Sequence, residues 1–173
     1  MLDTLNLSQF GTIHTLIALL AVACGIVALA RYGRIGTTSG AGRAYVLLTA
    51  VTAITGLFIF RHGGFGPPHV LAILTVLVLA VAHAAERWGN PTRGVSRYVA
   101  TLGYSLTLFF HLIPGLTETG TRLPLGNPAF DGPEDATLKM LVGIGFLVYL
   151  AGAGWQVLRL RREPRGAQPA TAR

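Results

Sequence analysis

Charged residues are scarce in this chain, and a soluble fold would need more of them to cover its surface. Only 12% of the 173 residues are Asp, Glu, Lys or Arg, against about 25% in a typical soluble domain. Hydrophobic residues make up 51% of the chain and stand in blocks, and the mean hydropathy is +0.55. This composition excludes a disordered chain, a coiled coil and an ordinary cytosolic enzyme. A lipid bilayer is therefore the expected solvent and the first expected partner.

Cysteine and lysine are almost absent. Cys24 is the one cysteine, so the chain can form no internal disulfide and carries no Cys-x-x-Cys-His signal for attaching a c-type haem. The net charge of +7 comes from arginine, because Lys139 is the one lysine. The arginines stand in short clusters between apolar runs, which is typical of the cytoplasmic loops of a membrane protein. No nucleic-acid partner is expected from this pattern.

Five apolar runs come close to the length of about 20 residues that crosses a bilayer as a helix. Their ranges are Phe10–Ala30, Ala44–Phe60, Pro67–Ala85, Tyr98–Leu116 and Leu138–Leu158. Each run must satisfy its own backbone hydrogen bonds in lipid. Residues 1–162 are therefore predicted to form an all-α membrane bundle of five transmembrane helices. The first run follows no basic stretch and no evident cleavage site, which favours a retained span over a signal peptide.

The arginines predict how the bundle is oriented. Eleven of the 14 basic residues lie between the first and second runs, between the third and fourth, or after the fifth. By the positive-inside rule the N-terminus is outside and the C-terminus inside, in a multi-pass protein. The long connection Thr117–Thr137 then lies on the outer side, and such long loops are often functional. The polar tail Glu163–Arg173 is predicted to be disordered and cytoplasmic.

Three histidines are predicted to share one layer of the outer leaflet. His14 stands four residues inside the first run, about 6 Å along a helix, His69 opens the third run and His111 closes the fourth. Ionisable groups within spans are costly and often functional. The leading hypothesis is that two of these imidazoles ligate one b-type haem. The protein would then exchange electrons with a quinone or a partner protein.

Two other hypotheses explain the same histidines. The three rings could hold zinc or copper with one open position, as in a metal-dependent membrane hydrolase or oxidase. The base or fourth ligand would then come from the acidic residues of the outer loop, Glu118, Asp131, Glu134 and Asp135. Alternatively the histidines bond only carbonyls or water at the interface. The protein would then be an accessory subunit of a larger membrane complex, with no cofactor.

Four further residues could support the outer site. Tyr104 shares a helix face with His111, and Glu118 and Arg122 stand at i and i+4. If that segment is helical, the two charges pair and cover the histidines, the alternative being a solvated pair. His62 lies at the edge of the layer, where an interfacial role is favoured. The same role is favoured for His83, which lies near the inner end of its run and is followed by Glu86. A second haem at His83 is not expected, because the inner half offers no second histidine.

Small residues on the predicted helices indicate close packing. The first run carries Ala18, Ala21, Gly25 and Ala28 on the stripe of His14, where a helix or a flat cofactor could approach. Thr49, Thr52, Ala53 and Gly56 in the second run, and the glycines of the fifth run, are interpreted as packing surfaces.

Three stretches carry a resemblance to a known group of proteins. They are Gly42–Tyr45, Pro68–Leu71 and His111–Pro124. With them the first four runs resemble small uncharacterised bacterial multi-span membrane proteins that carry a domain of unknown function. The resemblance implies a bacterial inner membrane and no particular activity. Some of those proteins carry a histidine just before the Gly-Arg pair, where this chain has Ser39-Gly40-Ala41.

Overall fold

The fold is known from a computed structural model that describes residues 9–59, 64–90 and 94–163. Within these ranges every regular element is an α-helix, as the sequence predicts. The five helices are α1 (Gln9–Tyr32), α2 (Gly40–Gly56), α3 (Pro67–Trp88), α4 (Ser96–Gly120) and α5 (Ala136–Arg162). His62 and the tail beyond Glu163 lie outside the described residues.

Four of the five described helices, α1, α3, α4 and α5, are long and apolar enough to cross a membrane. They indicate a multi-pass membrane protein. Helix α2 is not among the four, although the sequence predicts a span over Ala44–Phe60. It has 17 residues, or about 26 Å at 1.5 Å per residue. It stops at Gly56 because the next three amides bond carbonyls only three residues back, in a tighter turn.

Helices α1 to α4 form a ring in which each helix runs antiparallel to the next. Helix α1 packs on α2, α2 on α3, and α3 on α4, while α4 closes the ring against α1 with fewer contacts. Helix α5 lies outside the ring and packs on α4. The N-terminal part of α1 therefore meets the C-terminal part of α2, as short connections predict.

Two tyrosines fill the centre of the ring. Tyr45 and Tyr104 are fully buried. The Tyr45 ring lies so close to α1 that a Cβ on Gly25 would stand 2.8 Å from Tyr45 Cδ2 and 3.1 Å from Leu108 Cδ1. The small stripe of α1 is thus filled by side chains of α2 and α4 at this depth. A flat cofactor has no place beside Gly25.

Helix α5 is joined to the ring by a few polar and aromatic contacts. The buried Gln156 accepts a hydrogen bond from Ser105 Oγ at 3.0 Å and donates one to the Gly33 carbonyl at 3.2 Å. Gly145 lets Leu112 approach the α5 backbone. At Gly143, Gly152 and Gly154, however, an added Cβ would meet nothing within 4 Å. These three glycines lie on the outward face of α5, so they form no packing surface with the other described helices.

The long outer connection is shorter and more ordered than the sequence predicts. Helix α4 continues through Pro114 and ends at Gly120. The chain then folds back, and the Phe130 amide donates to the Gly120 carbonyl at 3.0 Å. Phe130 itself is buried against Gly120. Because this segment is helical, Glu118 and Arg122 form the predicted i, i+4 ion pair.

Candidate functional site

One end of the bundle holds a histidine site, which we define as His14, Thr55, Thr49 and His111. We call it the outer histidine site because the arginine pattern of the sequence predicts that this end faces outward. Helix α1 supplies His14, α2 supplies both threonines and α4 supplies His111. Both rings are partly buried, and Thr49 is fully buried. Each ring bonds one threonine of α2, His14 through Thr55 and His111 through Thr49. The structure therefore brings together two of the three histidines that the sequence selected.

The hydrogen bonds of Thr55 decide which nitrogen of His14 carries the proton. Thr55 Oγ1 donates its one hydrogen to the Val51 carbonyl at 2.7 Å. His14 Nδ1, at 2.9 Å from the same oxygen, must then be the donor. In the neutral ring this leaves a lone pair on His14 Nε2. A metal-binding histidine has this arrangement, with its second nitrogen donating to a fixed acceptor.

His111 is held by the other threonine of the site. Its Nε2 lies 3.2 Å from Thr49 Oγ1. Its ring meets the edge of the Tyr45 ring at a centroid distance of 6.3 Å. While the Thr49 bond persists, Nδ1 is the nitrogen of His111 left for a ligand. The two histidines are thus oriented by the same helix, α2, at residues about 9 Å apart along its axis.

His69 has a different role from the one the sequence suggests. Its Nδ1 accepts a hydrogen bond from the Gly66 amide at 3.2 Å, which caps the start of α3. Its ring stacks on the Phe65 ring at a centroid distance of 5.3 Å. Among the described residues, no group of three or more His, Cys, Asp and Glu side chains could hold a metal ion. The three histidines therefore do not converge on one site.

The acidic residues of the outer loop are largely committed elsewhere. Asp135 accepts from the Thr137 and Leu138 amides and caps α5, and these bonds, the one from Leu138 first, lower its pKa. Lys139 lies 2.5 Å from Glu134 and lowers the pKa of that carboxyl. Glu118 lies in the last turn of α4, where it pairs with Arg122 and also interacts electrostatically with His14. It is the one best placed to affect the charge of the outer site.

Tyr104 does not support the outer site, although the sequence placed it there. Its hydroxyl donates to Glu86 Oε2 at 2.7 Å and lies 3.4 Å from His83 Nδ1. Glu86 Oε1 accepts from the Thr37 amide at 2.8 Å. We define Glu86, Tyr104, His83 and Thr37 as the inner cluster. A helical side chain leans toward the N-terminus of its helix, and for Tyr104 that direction leads away from His111.

The threonines and the inner cluster are polar sites that the sequence did not predict. Thr49 and Gly56 were assigned to a packing stripe, and that assignment is confirmed, since a Cβ on Gly56 would lie 3.5 Å from His14 and 3.8 Å from Ala72. The same stripe, however, also provides a hydrogen bond to a histidine. For the inner cluster the signal was the pair His83 and Glu86 at i and i+3 near the end of an apolar run.

No protein-family model matches this chain. No curated protein and no solved structure matches it either. Function is therefore inferred from the two polar sites and from the helices that hold them.

Proposed function

We propose that this chain is a five-span redox protein of the bacterial inner membrane. It binds one b-type haem at the outer histidine site and exchanges electrons with a quinone or a partner protein. The single observation that carries the proposal is the pair of imidazoles from α1 and α4, each oriented by a threonine of α2.

The contacts of α2 support its role as the fifth span. Its first turns meet α1 where Tyr45 lies on Gly25, and its last turn meets α1 where Thr55 bonds His14. Helix α2 thus runs beside α1 for most of the bundle. Its length of about 26 Å falls short of a hydrocarbon core of about 30 Å. Local thinning of the bilayer accommodates such a difference at modest cost.

The distribution of charge supports an orientation with the N-terminus outside. Among the described residues, eight arginines lie at the end of the bundle opposite the outer histidine site: Arg31, Arg34, Arg43, Arg87, Arg97, Arg159, Arg161 and Arg162. The histidine end has Arg122 and Lys139. Trp88, 81% exposed, and Trp155, 54% exposed, stand at the arginine end as interfacial anchors. The arginine end is therefore placed in the cytoplasm.

The donor groups of the outer site fit a haem with two imidazole ligands. His14 offers Nε2, and its second nitrogen is held by Thr55. His111 offers Nδ1 as it stands, or Nε2 if Thr49 exchanges its bond. A bound haem supplies reversible one-electron chemistry at its iron. The threonines orient the rings, and the surrounding apolar helices exclude water from them.

The packing of Tyr45 limits the depth of the cofactor. Tyr45 and Leu108 fill the space beside Gly25. A haem held by His14 and His111 would therefore have to lie outward of Tyr45. Glu118 stands near the layer of these histidines, where it is paired with Arg122.

The proposal is tested by absorption spectra of the detergent-purified, haem-supplied protein, oxidised and then reduced with dithionite. A Soret band with sharp reduced α and β peaks is expected, and His14→Ala and His111→Ala should each abolish it. His69→Ala is the matched control and should keep the band. A featureless spectrum from a folded preparation would overturn the haem proposal. Zinc or copper bound stoichiometrically to that sample would favour a metal enzyme instead.

A further inference from the structure

The inner cluster is a second group of titratable side chains, and the outer site does not use it. It connects three parts of the bundle, namely α3, α4 and the loop between α1 and α2. Tyr104 is fully buried, Glu86 is partly buried and His83 is exposed on the surface of α3. The cluster thus leads from a surface histidine through a buried hydroxyl to a carboxylate beside the loop.

The hydrogen positions in the cluster follow from its distances. The Tyr104 hydroxyl has one hydrogen, and the shorter contact, 2.7 Å, goes to Glu86 Oε2. His83 Nδ1, at 3.4 Å, can then bond that oxygen only as a donor. Neutral His83 therefore carries its hydrogen on Nδ1 and a lone pair on Nε2. His83 is a proton acceptor at the surface of the bundle.

The position of His83 selects the kind of molecule that can reach it. His83 lies five residues before Trp88, about 7.5 Å inside the inner end of α3. Ala80 stands one turn away on the same exposed face. A molecule that arrives there comes from the lipid. Among lipid-soluble molecules, quinols carry both the electrons that the proposed function requires and a proton that His83 can accept.

We propose that His83 binds the headgroup of a membrane quinol, and that Tyr104 and Glu86 receive its proton. This inference rests on the proposed electron exchange and names its substrate and the site where the substrate docks. His83 Nε2 accepts a hydrogen bond from one hydroxyl of the quinol. Glu86, which the loop amide of Thr37 holds in place, is the end of the proton path.

Each transfer along the path is balanced. The O–H bond of the quinol breaks, and its proton joins His83 Nε2 while the proton on Nδ1 moves to the Tyr104 oxygen. The former Tyr104 proton moves to Glu86 Oε2, which becomes a neutral carboxyl. One electron leaves the quinol for a one-electron acceptor of the ferric haem class. The headgroup has then lost one proton and one electron. Before a second turnover Glu86 releases its proton to water on the arginine side, and His83, which now carries its hydrogen on Nε2, returns to the Nδ1 tautomer.

The binding step is tested with the full chain in nanodiscs, without haem. The probes are decyl-substituted benzoquinol and naphthoquinol, and binding is measured by equilibrium dialysis. His83→Ala should weaken binding of the preferred probe about tenfold, the value of one hydrogen bond in an apolar site. His83→Gln keeps a polar side chain and controls for folding, and Tyr98→Phe, a tyrosine outside the cluster, should bind normally. Failure of both probes to bind, or equal binding by His83→Ala, would overturn the proposal.

The proton path is tested by a second measurement. Infrared difference spectra of the probe-loaded protein, oxidised by ferricyanide, should show a new protonated carboxyl band. The band should be absent in Glu86→Gln and in Tyr104→Phe while both variants still bind the probe. A band that persists in Glu86→Gln would overturn the path. Because neither measurement needs haem, the two proposals can fail separately. A protein that binds the probe at His83 but shows no Soret band when supplied with haem would overturn the haem proposal and leave the quinol site standing.

Discussion

Both ends of the bundle hold polar side chains among apolar helices, and each end pairs those side chains in a different way. Polar groups inside a membrane protein are expensive unless they are paired. At the outer end two imidazoles are each held by a threonine, so each ring keeps one nitrogen for a ligand. At the inner end a carboxylate is held by an amide and a phenol, so the bonded groups form a path for a proton. The outer arrangement suits ligation, and the inner arrangement suits proton transfer.

The centre of the bundle separates the two ends. The Tyr45 hydroxyl lies 2.7 Å from Thr107 Oγ1, and Thr107 donates to the Tyr104 carbonyl at 2.8 Å. This series of hydrogen bonds ends on a backbone carbonyl, which has no proton to pass on. The Tyr104 hydroxyl lies at the far side of its ring, in the inner cluster. The two sites therefore exchange no proton through these bonds.

The largest loss of stability is expected from a side chain placed in the space that Tyr45 occupies between the two ends. Gly25→Leu would drive a side chain into the Tyr45 ring and should cost about 3 kcal/mol, at the upper end for overpacking. Thermal unfolding in detergent measures the loss. Gly143→Leu is the matched control, because nothing lies near that position, and it should unfold like the parent. Equal stability of the two variants would contradict the described position of Tyr45.

A smaller effect is expected from breaking the inner cluster. Glu86→Ala leaves the Thr37 amide and the Tyr104 hydroxyl without their acceptor and should cost about 2 kcal/mol. Amide hydrogen exchange of the segment around Thr37 should rise while exchange around His14 stays unchanged. Glu86→Gln keeps an oxygen acceptor, so its stability should lie between those of the parent and of Glu86→Ala. Equal changes at both ends would show that the sites are not independent.

Removing one anchor of the outer site should have a still smaller effect. Thr55→Val keeps the shape of the side chain but deletes the acceptor of His14 Nδ1, at a cost of about 1 kcal/mol. The Soret band of the haem-loaded protein should shift or weaken. Thr52→Val is the control, because the Thr52 hydroxyl donates to the carbonyl of Leu48 in its own helix. A spectrum that changes with Thr52→Val and not with Thr55→Val would refute the assigned role of Thr55.

The smallest effect is expected at Asp135, outside both sites. Backbone amides, that of Leu138 first, lower its pKa in the folded protein. A carboxylate with a lowered pKa contributes stability above its unfolded pKa of about 3.9, and this is lost as the pH falls through the folded pKa. Asp135→Asn keeps an acceptor that does not titrate. Unfolding scans of Asp135→Asn from pH 7 to pH 2 should therefore show a smaller loss of stability in acid than the parent shows. Identical curves for the two proteins would contradict this prediction.

The depth of each outer histidine could be predicted from the sequence, because depth follows from residue count along a helix. Its role could not. His14 leans toward the start of α1 and meets Thr55, whereas His69 turns to the Gly66 amide just before its own helix. Tyr104 shares a face with His111 and yet its hydroxyl reaches the opposite end. These outcomes depend on the direction of the side chains and on which helix stands opposite.

The sequence by itself determined the all-helical architecture, four helices able to cross a membrane and the collection of arginines at alternate connections. These properties are local, because a helix in lipid satisfies its hydrogen bonds within its own segment. The tertiary structure alone decided that α2 stands between α1 and α3, that its threonines orient two histidines, and that Glu86 meets Tyr104. Such meetings depend on the order and rotation of the helices, which arise from packing between distant segments, as where Tyr45 fits against Gly25.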